Sequence, residues 1–121
     1  MGDLPILPFS VVRGSNNTFN VSLRDPDGNV YVLAVGEVLR FGVKRYYEDP
    51  TYCIEKTLTA ADYKNGVYPI ILNPEDTEAL SVGKYEYDIG IQSDNQYWPV
   101  IAVSPFTITK NITSREVVSG G

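Results

Sequence analysis

The sequence predicts an all-β fold: an antiparallel β-sandwich of seven or eight short strands, with one short helical turn near residues 74–80. Three observations carry that expectation. Apolar and polar residues alternate along most of the chain, the period of a strand with one face in the core and one in water. Turn-forming clusters of Asp, Asn, Gly and Pro recur about every eight to twelve residues. Nine Tyr, four Phe and one Trp supply large flat side chains that suit a pleated surface.

The elements follow in chain order. In residues 18–24, Phe19, Val21 and Leu23 share one face, while Thr18, Asn20, Ser22 and Arg24 share the other. Asp25-Pro26-Asp27-Gly28-Asn29 is a turn, because Pro presets φ and Asp-Gly admits positive φ. Val30, Tyr31, Val32 and Leu33 then read as the return strand of a hairpin. The acidic turn is not a calcium loop, since Gly36 stands where that twelve-residue pattern requires Glu. Residues 37–45 form a strand with Leu39, Phe41 and Val43 inward. An Asp-Pro loop follows, and residues 52–59 resume the alternation with Ile54 and Leu58 inward. Cys53, the single cysteine, is expected to be a buried packing residue.

Residues 62–66 form a turn, and the nearly continuous apolar run 67–72 suits a central, well-covered strand. Asn73 caps a short helical turn with Pro74 at its first position; Asp76, three residues after the cap, makes an imperfect capping box. Residues 84–92 are the strongest strand, with Tyr85, Tyr87, Ile89 and Ile91 on one face. A turn at 93–96 leads to a partner strand at 97–103, interrupted at Pro99. Pro105 marks a second break before a last strand at 106–109, and prolines there imply bulge or edge positions. Residues 1–110 are read as one sandwich domain and residues 111–121 as a tail or the start of a linker.

Strands at this spacing suggest an immunoglobulin-like sandwich, although the inter-sheet disulfide of immunoglobulins is impossible with one Cys. A chain of 121 residues is long enough for an independent core. The net charge of −5 excludes the cationic footprint of a nucleic-acid binder. No apolar run reaches the length of a membrane span. The first ten residues lack a basic segment followed by an apolar one, so no secretion signal is evident. Three glycosylation sequons, beginning at Asn16, Asn20 and Asn111, are then chance matches.

Catalysis is not expected. With no His and one Cys, neither a histidine-based triad nor a His or Cys metal site can be built. No phosphate-binding loop is present. No catalytic, cofactor-binding or metal-binding residue is therefore assigned. Tyr46, Tyr47, Tyr52, Tyr97 and Trp98 are candidate aromatics for a carbohydrate-binding surface. That alternative requires at least two of Tyr46, Tyr47, Tyr97 and Trp98 to be exposed and coplanar.

One stretch resembles a known family. The run Leu72-Asn73-Pro74-Glu75-Asp76-Thr77-Glu78-Ala79-Leu80, followed by Gly83-Lys84-Tyr85-Glu86-Tyr87-Asp88-Ile89, is similar to the N-terminal domain of tailed-phage baseplate upper proteins and related prophage structural proteins. Asn73 stands where that family usually has Ser or Thr, a substitution that preserves the cap. The Asp25-Pro26-Asp27-Gly28 hairpin, the Phe106-Thr107-Ile108-Thr109 strand and the Asn111-Ile112-Thr113 segment also fit its outline. The resemblance covers most of residues 8–114. It implies a non-enzymatic virion component, an immunoglobulin-like adaptor that contacts other baseplate proteins and can form a homo-oligomer. From the net charge and the absence of a membrane-length apolar run, no nucleic-acid or membrane partner is expected. Asn73, Pro74, Glu75, Asp76, Thr77, Leu80, Gly83, Tyr85, Tyr87 and Asp88 would then be motif residues that maintain the fold.

Overall fold

In a computed structural model, which describes residues 6–46 and 48–110, the chain forms seven strands. They are β1 (Phe9–Val12), β2 (Asn17–Val21), β3 (Val38–Lys44), β4 (Ile54–Leu58), β5 (Tyr68–Leu72), β6 (Gly83–Gln92) and β7 (Tyr97–Thr109). A 3-10 turn spans Ala60–Asp62 and a short helix, α1, spans Pro74–Glu78. Five strands make one sheet in the order β1-β7-β6-β3-β4, and β2 and β5 make the second. The architecture is an all-β sandwich.

The core lies between the sheets and follows the alternation. Leu39, Phe41 and Val43 of β3 are fully buried, as are Tyr68, Ile70 and Leu72 of β5. Tyr85, Tyr87 and Ile89 of β6 and Phe106 and Ile108 of β7 complete it. Phe41 sits at the centre, 5.7 Å from the Phe19 ring, 5.6 Å from Tyr87 and 6.2 Å from Phe106. Full burial of such a side chain stabilises the fold by about 1.5–3 kcal/mol.

Several expectations need correction. The sheet is mixed: β1 runs parallel to β7, with Phe9 opposite Phe106 and Val12 opposite Thr109. Parallel strands need a long crossover connection, and here the rest of the domain supplies it. The run 67–72 is not a central strand. Paired with β2 alone among the described residues, β5 alternates, burying Ile70 and leaving Ile71 52% exposed. Residues 30–33 form no strand. The Asp25 turn closes as expected, with Asp25 Oδ1 accepting from the N–H groups of Asp27 and Asn29, but pairing ends at the Arg24–Val30 bridge. Beyond it the Leu33 N–H donates to the Tyr68 hydroxyl at 2.8 Å, so a side chain replaces the strand partner.

The prolines do not interrupt β7, which runs unbroken from Tyr97 to Thr109. Register shifts against β6 on either side of Ile89 absorb the irregularity. Pro105 precedes the first β1–β7 pair, so its missing N–H costs that ladder nothing. Cys53 is exposed rather than buried. It stands just outside β4, where Ile54 takes the inward position.

Candidate functional site

The family-like run builds a junction at one end of the sandwich. Pro74 opens α1 after the cap residue Asn73. The Asp76 carboxylate accepts the Asn73 N–H at 2.7 Å and pairs with Lys56 Nζ at 2.9 Å. Thr77 is buried and its hydroxyl accepts the Gly14 N–H at 2.8 Å, where Gly14 turns the β1–β2 loop at φ +75°. Glu75 is exposed, and Leu80 packs against the core. Gly83 starts β6 at φ +145°, beneath the Arg45 guanidinium, which lies 4.7 Å from the Tyr85 ring centroid. The Tyr85 hydroxyl donates to the Ser81 carbonyl at 2.8 Å. The Tyr87 hydroxyl donates to the Leu7 carbonyl at 2.6 Å, and burial pushes its pKa up. Asp88 turns the other way, to the outer face of the five-stranded sheet.

That outer face gathers a polar and aromatic cluster. Gly42 of β3 and Gly90 of β6 carry no side chains, and two tyrosines fill the space above them. A Cβ placed on Gly42 meets Tyr52 Cε1 at 2.4 Å. Arg40 and Lys44 flank the Tyr52 ring at 5.3 Å and 4.9 Å from its centroid. Over Gly90, Tyr97 directs its hydroxyl to the Asp88 carboxylate at 3.4 Å, a long contact. Burial first, then the charge and hydrogen bond of Asp88, push the Tyr97 pKa up to about 12. The Arg40 guanidinium donates to Gln92 Oε1 at 2.9 Å and pairs with Glu55. Between the two rings lies an open groove of about 390 Å³, lined by Arg40, Gly42, Tyr52, Asp88, Gln92 and Tyr97.

The candidate aromatics do not assemble as a single platform. Tyr97 and Trp98 are 48% and 44% exposed, but consecutive strand residues face opposite ways. Trp98 instead borders a cavity of about 510 Å³ with Leu23, Tyr31, Ile91 and Val100. There the Tyr31 hydroxyl donates to the Glu37 carboxylate, which raises its pKa. Tyr46 lies beyond β3 and is 60% exposed, its N–H bonded to Asp49. Tyr47 falls outside the described residues, as do the Asn111-Ile112-Thr113 segment and the 111–121 tail. The face that does form depends on Arg40 and Gln92, which alternation alone assigns to solvent. The signal for it was the pair of mid-strand glycines, which mark a close approach.

A second feature is the open seam between the sheets. β2 pairs with β5 on one side only. Asn20 stands opposite Pro69, which has no N–H, so the direct hydrogen-bonded pairs fall at Phe19–Ile70 and Val21–Tyr68. Thr18 and Asn20 therefore turn their backbone N–H and C=O away from β5. Among the described residues no backbone partner meets them. Beside this free edge runs a cavity of about 540 Å³, bordered by Phe9, Phe19, Val21, Ile89, Val100 and Ile101. It shares Ser22, Arg24 and Val100 with the Trp98 cavity.

In comparison with known proteins, no family model matches the chain and no curated protein matches it.

Proposed function

We propose that this protein is a non-enzymatic structural adaptor of a phage or prophage tail assembly, acting through contacts with other virion proteins. The observation that carries the assembly reading is the free β2 edge beside the apolar seam. An unpaired strand edge is a template for an incoming strand, whose backbone supplies hydrogen bonds while alternate side chains enter the groove. The tail placement rests on the resemblance of residues 72–89 to baseplate upper proteins. Several residues of that run support the fold, while Glu75 is exposed and Asp88 lines the outer-face groove. Asp76 and Thr77 fasten α1 to β4 and to the β1–β2 loop, and Tyr85 and Tyr87 fill the core.

The test is reconstitution with the tail proteins encoded beside this chain. Size-exclusion chromatography with light scattering should show a defined complex for the intact protein. The same complex should be lost with Asn20→Pro, which deletes an outward N–H. Absence of tail genes in the neighbourhood, or an assembly indifferent to Asn20→Pro, would overturn this reading.

A further inference from the structure

We infer that the outer face of the five-stranded sheet is a binding site for a neutral saccharide, seated between Tyr52 and Tyr97. The site is separate from the β2 seam and independent of the assembly reading. Its shape comes from the sequence directly. Glycines at 42 and 90 lower the floor of the sheet on neighbouring strands, with Gly42 paired to Asp88 and Arg40 to Gly90. Tyr52 and Tyr97 stand on that lowered floor, 41% and 48% exposed, although the fold gains its core from the opposite face. The groove of about 390 Å³ between them is of a size that small ligands occupy.

The lining selects the ligand class. Arg40 offers donors, the Asp88 carboxylate offers acceptors, and Gln92 and the Tyr97 hydroxyl offer both. Arg40 is already held in place by Glu55 and Gln92, so little ordering is needed on binding. An anion would meet Asp88. A cation would meet Arg40. A purely apolar ligand would strip water from Arg40, Asp88 and Gln92 without replacing their hydrogen bonds. A neutral sugar avoids all three conflicts. Its hydroxyls both donate and accept, and its C–H face packs against the Tyr97 ring, while the Tyr52 ring, already flanked by Arg40 and Lys44, walls the other side.

The experiment is a backbone-amide NMR titration of the intact protein with maltotriose, lactose and the N-acetylglucosamine trimer at millimolar concentration. At least one should shift the Gly42, Asp88, Gly90 and Gln92 amides with saturable behaviour. Tyr97→Ala should weaken that binding at least tenfold. Gln92→Ala, a milder surface change, should weaken it several-fold while leaving the rest of the spectrum in place. Tyr31→Phe, in the Trp98 cavity, should leave the titration unchanged. No shift with any of the three sugars overturns the proposal, and a face covered by a protein partner would give that result. Shifts centred on Trp98 and Tyr31, or binding unaffected by both Tyr97→Ala and Gln92→Ala, overturn it as well.

Discussion

The Tyr97 side chain occupies the space that a residue at position 90 would need: a Cβ built on Gly90 meets the Tyr97 hydroxyl oxygen at 2.3 Å and Cζ at 2.4 Å. Backbone and aromatic ring are thus complementary across β6 and β7. Gly90→Ala should expel Tyr97 from its seat and lower stability by about 1 kcal/mol, the lower end of overpacking costs. In a Tyr97→Ala background the obstruction is gone. The same Gly90→Ala change should then be neutral or stabilising, because Ala loses less chain entropy in a strand than Gly. Urea unfolding of the four proteins measures this as a double-mutant cycle. Additive effects would show that the contact carries no energy.

Base should destabilise the protein through the same tyrosine. Folding raises the Tyr97 pKa from 10.0 to about 12. The folded chain therefore retains a proton that the unfolded chain has released between those values. The stabilisation is complete below pH 10, and it is lost as pH climbs from 10 towards 12. Burial raises the Tyr87 pKa and adds to the trend. Urea midpoints across that range should fall with pH, and Tyr97→Phe should flatten the slope. An unchanged slope in the Phe variant would remove Tyr97 as the cause.

Thr77 should be intolerant of losing its hydroxyl. It is 1% exposed, and its Oγ1 is the acceptor for the Gly14 N–H. Thr77→Val keeps the volume but strands that donor, at a cost of about 1–3 kcal/mol. Thr77→Ser retains the acceptor and should recover part of the loss. Chemical denaturation of both variants separates the hydrogen bond from the packing of the methyl group.

Much of the sandwich was legible because alternation and burial agree. Leu39, Phe41 and Val43, and Tyr85, Tyr87 and Ile89, read as inward faces and are buried. The failures share a cause: they depend on a partner that local pattern does not specify. Ile71 sits in an apolar run yet faces water, because among the described residues β5 pairs with β2 alone. The parallel β1–β7 pairing joins residues about a hundred positions apart through a four-residue strand. The outer-face cluster was partly visible. Tyr97 and Tyr52 were aromatic candidates, but Arg40 and Gln92 look like any solvated residues until β3 and β6 are placed side by side. Tyr97 and Trp98 were both candidate aromatics, and the strand period divides them.

Cys53 should react as an open thiol. It lies just before β4 and is exposed, with its N–H bonded to the Val43 carbonyl at 2.7 Å. A thiol reagent such as dithionitrobenzoate should modify the native protein at a rate close to that in denaturant. Strong protection in the native state would instead place the thiol in the core, as the apolar neighbour Ile54 first suggests.

The two sides of β2 should respond oppositely to proline. The Asn20 N–H points away from β5, since the residue opposite is Pro69 and the bonded pairs lie at Phe19 and Val21. Asn20→Pro therefore deletes no ladder bond, and proline is accommodated on an edge strand. It should cost little stability, though it blocks the docking of a further strand. Phe19→Pro deletes a bond to Ile70 and also removes the ring that packs against Phe41. That variant should lose clearly more stability than Asn20→Pro, since it removes both a ladder bond and a partly buried ring packed on the core. Thermal denaturation gives the contrast directly. Comparable losses in the two variants would mean that the N–H of Asn20 is already engaged within the fold, and the seam would no longer offer a free edge to another chain.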